Sequence, residues 1–362
     1  MADNGYMKRA IALARRGAGW VSPNPMVGAV IVKNGRIIGE GYHQRYGEHH
    51  AEVNAIRHAS RPIEGSTFYV TLEPCTHYGK TPPCVDRIVA LKPARVVVGS
   101  VDPNPVVSGR GIEIMRDHGI ETTTGVLQDE CLRLNERYFK YTTTGIPFVT
   151  VKYAQTFDGR IASATGHSRW ISSDASLTFA HRLRSYHDAV MVGIGTVLAD
   201  DPDLTVRHVR GRDPLRVVID PHLKIPSDAR LLCNQERSRT LVICGTHCDR
   251  GTRSLLTDGG IESVVIPEGD DGSISVTACL TMLGERGISS LLVEGGSRII
   301  TSFMKDRLVD RLIAITAPKI LGRGVEAVGN LDILKVDDSI GLDIERIRRK
   351  GPDIIIEARL RP

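Results

Sequence analysis

Aromatic residues make up only 5% of this 362-residue chain, and two of them are tryptophans. Proteins that hold unpaired bases stack them on aromatic side chains, so a platform for single-stranded nucleic acid is poorly supplied. A strong charge bias is missing as well. Against 42 Asp plus Glu stand 47 Lys plus Arg, a formal net charge of +5, without the clustered basic stretches of a nucleic-acid groove. Such a mild excess fits a small phosphorylated molecule. No run of about 18 uncharged apolar residues occurs, and Lys8, Arg9, Arg15 and Arg16 interrupt the first twenty residues, so neither a membrane span nor a secretory leader is expected. A disulfide framework is absent too: Cys75, Cys84, Cys131, Cys233, Cys244, Cys248 and Cys279 are odd in number and irregularly spaced. That usage belongs to a reducing compartment, and a cytoplasmic protein is expected.

With 41% apolar residues, and neither an internal repeat nor a low-complexity segment, the length suggests two globular domains. Tyr6, Ala10, Leu13 and Ala14 recur at helical spacing. Next, Asn34-Gly35 between the runs 27–32 and 36–42 predicts a hairpin with a type I′ turn. A helix from His50, a strand from Thr67 to Leu72, a helix from about Pro83 to Leu91 and a strand from Arg95 to Ser100 give an α/β layer fold. Thr142, Thr143, Thr144, Gly145 and Pro147 form a polar, turn-forming stretch before a new apolar strand, Phe148 to Ala154, so the boundary is placed between 145 and 146. Beyond it, strands are expected at 189–193, 215–220, 240–244, 263–267, 290–294, 311–317 and 351–360, a second α/β sheet.

His50-Ala51-Glu52 opens a helix, Pro74-Cys75 follows a strand 25 positions later, and Cys84 comes after Pro82-Pro83. One imidazole and two thiolates are the three ligands a catalytic zinc takes while leaving a fourth position for water, whose pKa it lowers. Cys75 and Cys84 are each expected at a helix start, where exposed N–H groups favour a thiolate. Glu52 lies two residues from His50, on a different side of a regular helix; with His50 at a non-helical lip, both face one cavity. A carboxylate there moves a proton from the water to a leaving amino group. On spacing alone, a structural zinc site or two buried cysteines that never meet stay open.

The His-x-Glu pair with a later Pro-Cys is the pattern of zinc nucleobase deaminases, except that eight residues separate the cysteines where those enzymes have two. With Pro23-Asn24-Pro25 upstream and Asp102-Pro103-Asn104-Pro105 downstream, the stretch from Pro74 to Cys84 closely resembles the deaminase half of the bifunctional riboflavin-biosynthesis deaminase/reductase family. The resemblance implies a cytidine-deaminase-like α/β/α domain over residues 1–145, with His50, Cys75 and Cys84 on one zinc ion and Glu52 catalytic. It assigns Asn24, His43, His77, Lys80, Asp102 and Asn104 to the substrate. His49, one residue out of register, is a surface or neighbouring residue.

Four stretches of the second half resemble the family's reductase: 152–160, 168–172, 193–207 and Glu294-Gly295-Gly296-Ser297. A dihydrofolate-reductase-like α/β domain over 146–362 is implied, using NADPH. Ala154, Trp170, Thr196 and Asp200, with Gly296, Ser297, Arg298, Ile299, Ile300, Thr301 and Ser302, then line the dinucleotide. Lys152, Ser168, Arg184, Leu204, Arg207 and Glu294 face the substrate. Physically, glycines at a strand-to-helix turn admit a pyrophosphate to exposed N–H groups, whereas a Rossmann Gly-x-Gly-x-x-Gly is missing. Arg184 and Arg207 suit a phosphate clamp, and Lys152 and Glu294 suit proton handling or an ion pair. Read without the resemblance, Arg184 is a solvated helix residue, and Trp170 and Leu204 are core.

The implied function is hydrolytic deamination of 2,5-diamino-6-(5-phosphoribosylamino)pyrimidin-4(3H)-one to 5-amino-6-(5-phosphoribosylamino)uracil, then NADPH-dependent reduction of the ribosyl to a ribityl chain. A homo-oligomer acting on a small molecule, without nucleic acid or membrane, completes the expectation. Two alternatives differ in class: an RNA base deaminase with an appended domain, and an inactive zinc-stabilised binding module.

Overall fold

A computed structural model describes residues 2–78, 82–269 and 272–361. The chain divides between Gly145 and Ile146 into two compact units. The N-terminal unit runs α1 (Ala2–Ala14), β1 (Gly28–Lys33), β2 (Arg36–Tyr42), α2 (Ala51–Arg57), β3 (Thr67–Leu72), α3 (Cys84–Ala90), β4 (Arg95–Ser100), α4 (Arg110–Asp117), β5 (Glu121–Thr124), α5 (Gln128–Leu134) and α6 (Glu136–Thr144). Its sheet has the order β2-β1-β3-β4-β5, antiparallel across β2-β1-β3 and parallel across β3-β4-β5. Asn34 (φ 52°) and Gly35 (φ 71°) both take positive φ in the β1–β2 turn, as a type I′ hairpin requires.

Alternation along the strands makes the layers. Ala29, Ile31, Phe68, Val70, Val96 and Val98 pack with Ala51, Ala55, Val85, Ile88 and Met115 on one face. Val30, Val32, Tyr69 and Val97 pack with Met7, Ala10, Ile11, Leu13 and Cys131 on the other. Helices therefore cover both faces, the α/β/α arrangement expected. The polar stretch expected as a turn is instead helical: Thr142–Thr144 end α6, with Thr143 and Thr144 hydroxyls bonding back to main-chain carbonyls, and Gly145 in the left-handed C-terminal position.

The C-terminal unit runs β6 (Phe148–Thr156), β7 (Arg160–Ser163), α7 (Asp174–Tyr186), β8 (Ala189–Gly193), α8 (Ile194–Asp200), β9 (Leu215–Ile219), β10 (Thr240–Cys244), α9 (Arg250–Asp258), β11 (Glu262–Val265), α10 (Val276–Glu285), β12 (Ser290–Gly295), α11 (Ser297–Lys305), β13 (Arg311–Ala317), β14 (Gly324–Glu326), β15 (Leu342–Lys350) and β16 (Asp353–Leu360). Nine strands form one sheet of order β11-β10-β9-β8-β12-β6-β13-β16-β15, parallel from β11 to β13 and antiparallel for β16 and β15. β14 pairs with β7 separately. Helices α10 and α11 pack on one face, α7 and α9 on the other. Burial on both faces explains the continuous apolar strands Ala189–Gly193 and Leu291-Leu292-Val293.

Candidate active sites

In the N-terminal unit, three element ends converge. His50 precedes α2 with extended backbone (φ −67°, ψ 164°), and Glu52 lies in the first helical turn. Leaving the helix at His50 turns its side chain to the same side as Glu52, which resolves the two-residue spacing. Cys84 is the first residue of α3, after Pro83. Cys75, expected at a helix start, lies instead in the coil after β3; it gains helix-end polarity indirectly, because the Cys84 N–H donates to its Sγ at 3.4 Å.

His50 Nδ1 lies 3.3 Å from Cys84 Sγ and 3.5 Å from Cys75 Sγ. All three ligand atoms lie within 4.8 Å of one another, the one such metal-capable trio among the described residues. Tetrahedral Zn–N and Zn–S bonds of usual length would separate nitrogen and sulfur by about 3.5 Å, so this donor set fits a zinc ion. Glu52 is 4% exposed, and burial pushes its carboxyl up to about 7 against the pull of His50. A carboxyl poised near neutrality both accepts and returns a proton.

Around this centre, His43 is buried, edge-on to the His50 ring at 5.5 Å, and burial pushes its pKa down. Its Nδ1 meets the His49 carbonyl at 3.1 Å, which makes Nδ1 the protonated nitrogen, and the Asn24 amide nitrogen lies 3.3 Å from Nε2. His49 thus acts through its main chain, while its side chain is exposed. Asp102 is buried, accepts from the Tyr138 hydroxyl at 2.9 Å and from the Asn104 N–H at 2.9 Å, and burial raises its pKa. Asn104 Oδ1 accepts from the Val106 N–H. His77 is exposed, and Lys80 falls outside the described residues. Sequence reasoning missed Tyr138 and Glu73. Tyr138 carries no local signal; Glu73, directly before Pro74-Cys75, is a carboxylate where the chain leaves a buried strand.

In the C-terminal unit, β8, β12 and β6 lie side by side and parallel. Gly295-Gly296 joins β12 to α11, and Gly296 takes φ 87°. A Cβ at Gly296 would sit 3.3 Å from Thr196 Oγ1, so the β12–α11 and β8–α8 turns touch there. The glycine turn leaves main-chain N–H groups of Ser297, Arg298 and Ile299 without helical partners, a set that fits a pyrophosphate. Ile300 departs from the expected lining: its side chain is fully buried in the core and its N–H bonds the Gly296 carbonyl. Thr301 and Ser302 bond back to the Ser297 and Arg298 carbonyls. Nearby, Ser168 donates to Asp200 at 2.6 Å, lining a cavity of about 480 Å³ with Arg169, Leu198, Asp201 and Arg230. Ala154 is half-buried; Leu204 is buried, as its apolar character suggests, whereas Trp170 is 67% exposed and outside the core.

Glu294, at the end of β12, gathers the charges. The Arg184 guanidinium donates two bonds to it, at 2.5 and 3.0 Å, and Lys152 Nζ approaches to 3.6 Å. Burial alone would raise the Glu294 carboxyl, but Arg184 and Lys152 outweigh it and hold the group at about 2. Glu294 thus stands in ion pairs with Arg184 and Lys152, the arrangement of the ion-pair reading. Burial and Arg184 lower the Lys152 pKa against Glu294. Arg184 is 11% exposed by side chain, so it is no solvated helix residue, and its fork is taken up by Glu294. Arg207 is 44% exposed by side chain and pairs with Asp203; its N–H donates to His181 Nδ1.

Comparisons with known proteins divide the chain similarly. A family model described as the cytidine and deoxycytidylate deaminase zinc-binding region matches residues 1–100, and one described as the RibD C-terminal domain matches residues 147–356. The riboflavin biosynthesis protein RibD of Aquifex aeolicus is 42% identical over 355 residues, 98% of this chain and 97% of that protein. The Escherichia coli protein of that name is 38% identical over 370 residues, covering 98% and 99%. Among solved structures, the diaminohydroxyphosphoribosylaminopyrimidine deaminase/5-amino-6-(5-phosphoribosylamino)uracil reductase of Thermotoga maritima superposes with a TM-score of 0.87 at 38% identity, covering 99% of both chains. RibD of Acinetobacter baumannii gives 0.90 at 35% identity, covering 100% of this chain and 99% of that one.

Proposed function

The chain belongs to the RibD family, which joins a deaminase and a reductase of riboflavin biosynthesis in one polypeptide, and we propose that residues 1–145 carry the first activity and residues 146–362 the second. The substrate of the first step is the diaminopyrimidinone ribosyl phosphate. Water replaces its 2-amino group, which leaves as ammonia, giving the aminouracil. In the second step hydride reaches C1′ of the opened ribosyl chain, which becomes ribityl.

One observation carries the reading: a His-Cys-Cys trio with a buried carboxylate in the first turn of the same helix. His50, Cys75 and Cys84 hold a zinc ion, which when bound supplies the Lewis acidity that makes water reactive near neutral pH. Glu52 takes the water's proton and delivers it to the departing amino group. Asn24, His43, Asp102 and Asn104 orient the pyrimidine, and His77 and Lys80 offer charge to its phosphate. In the other unit a bound NADPH supplies the hydride. The Gly295-Gly296 turn and the start of α11 seat its pyrophosphate; Ala154, Trp170, Thr196 and Asp200 border it. Lys152 handles the proton, Glu294 fixes Lys152 and Arg184, and Ser168, Leu204 and Arg207 face the substrate.

Exchange of Glu52 for Gln tests the assignment. Glu52→Gln is expected to keep zinc and slow ammonia release by about 10²- to 10⁴-fold, while NADPH oxidation on the already deaminated substrate continues unchanged. Undiminished deamination in that variant removes Glu52 from the mechanism. The reading extends to a cytoplasmic homo-oligomer independent of nucleic acid, which sedimentation and a salt-dependent gel shift with tRNA examine. Among the described residues no helix is long and apolar enough to cross a membrane.

A further inference from the structure

Glu73 leaves β3 directly after Leu72, two positions before Cys75. It is 3% exposed, and among the described residues no Lys or Arg pairs with it. Its two oxygens are instead filled by main-chain donors from one segment. Oε2 accepts from the N–H groups of Asp102 at 3.2 Å and Gly109 at 3.0 Å. Oε1 accepts from Gly111 at 2.9 Å and Ile112 at 3.4 Å. Gly111 and Ile112 stand in the first turn of α4, whose N–H groups have no helical partner, so the carboxylate closes that helix end and meets its positive pole. The fit is close: a Cβ at Gly111 would lie 2.6 Å from the Pro74 carbonyl oxygen.

One side chain thus ties the strand end that bears Cys75 to the segment 102–112. The Asp102 N–H it holds belongs to the residue whose carboxylate meets Tyr138 and the Asn104 N–H. We infer that Glu73 is a positioning residue for deamination, fixing the main chain of Asp102 relative to the metal-ligand loop so that the Asp102 carboxylate meets the pyrimidine. The inference rests on the reading of Asp102 as a substrate contact. Four converging donors exceed what a strand end needs, and all come from the segment that carries Asp102.

The test is a double-mutant cycle on the full, zinc-loaded chain, with KM and kcat for ammonia release, zinc content, and NADPH oxidation on the deaminated substrate as readouts. Glu73→Gln replaces one acceptor oxygen by a donor nitrogen and strands two of the four N–H groups. It is expected to raise KM for deamination on the order of tenfold, leaving zinc content and NADPH oxidation unchanged. In an Asp102→Asn background it adds nothing further, because the two act as one unit. Independent, multiplying losses overturn the inference, since a carboxylate that merely supports the fold does not couple to Asp102. Zinc loss in Glu73→Gln also overturns it, by placing the role at the metal loop. An Asp102→Asn chain with unchanged KM overturns it from the other side, by removing Asp102 from the substrate site. Should Glu73→Gln not fold, Glu73→Asp, which keeps the charge and shortens its reach, takes its place in the same cycle.

Discussion

Two glutamates with little side-chain access to solvent, Glu52 in the N-terminal unit and Glu294 in the C-terminal unit, are shifted in opposite directions. Glu52 is buried and burial pushes it up to about 7; the Glu294 carboxylate is largely covered too, yet it is held at about 2. Burial penalises the charge of both, so the difference lies in what burial brings along. Around Glu294 the parallel order β8-β12-β6 and helix α7 deliver Arg184 and Lys152. Around Glu52 the neighbours are two thiols and an imidazole, which are groups for a metal. A carboxylate locked in ion pairs with lysine and arginine is a structural charge, and one that pairs with neither keeps its oxygens open to exchange a proton.

The largest break in that comparison is expected from Glu294→Gln. It leaves Arg184 and Lys152 buried without their counter-charge, which costs about 3–5 kcal/mol in other proteins. Calorimetry is expected to show the C-terminal transition lowered by roughly 10 °C, with ammonia release intact at moderate temperature. An unmoved transition shows that solvent neutralises the two cations.

Acid gives the next effect. The Glu294 pKa is depressed from 4.5 to about 2 on folding, so the unfolded chain binds more protons in that window. The contribution is therefore whole above about pH 4.5 and is lost as pH falls toward 2, amounting to about 3 kcal/mol. Denaturant titrations between pH 5 and pH 2 are expected to show a steeper loss in the natural chain than in Glu294→Gln. Parallel curves assign acid lability to other carboxylates.

The two sites were unequally legible in the sequence. In the first, His50 and Glu52 sit in one triplet and Cys75 and Cys84 in one decade of residues, each beside an element end, so residue type and spacing survive into the fold. The second joins Lys152, Arg184 and Glu294, whose separations of 32 and 110 positions are closed by non-local strand pairing that no periodicity announces. Arg184 accordingly looked solvated. Trp170 looked like core because it is apolar, yet it lies in an exposed loop. The edge strand β15 was missed because its residues, Leu342 to Lys350, are mostly charged and mostly exposed, so it lacks the apolar alternation that marks a half-buried strand.

Arg207 sharpens the comparison at the margin of the second site. Its guanidinium pairs with Asp203 while remaining 44% exposed by side chain, and such pairs contribute about 0–1 kcal/mol to stability. Arg207→Ala is expected to leave the melting transition nearly unchanged and to raise KM for the reduction by roughly tenfold, as a lost phosphate contact does. An unchanged KM takes Arg207 out of the site.

The smallest effect on stability is expected where activity suffers most. Glu52→Gln keeps the shape of the side chain, and unlike Glu294→Gln it abandons no buried lysine or arginine, since none pairs with Glu52 among the described residues. The amide keeps the size of the carboxyl and leaves no buried counter-charge behind, so the exchange is expected to change the stability of the chain by less than about 1 kcal/mol. Thermal unfolding of the two Glu→Gln variants side by side is the check. Equal losses would mean that Glu52 also holds the fold together and that the contrast between a mobile proton carrier and a fixed charge is wrong. Unequal losses, with deamination slowed by about 10²- to 10⁴-fold in the stable variant and retained in the unstable one, separate the chemistry of one buried carboxylate from the architecture of the other.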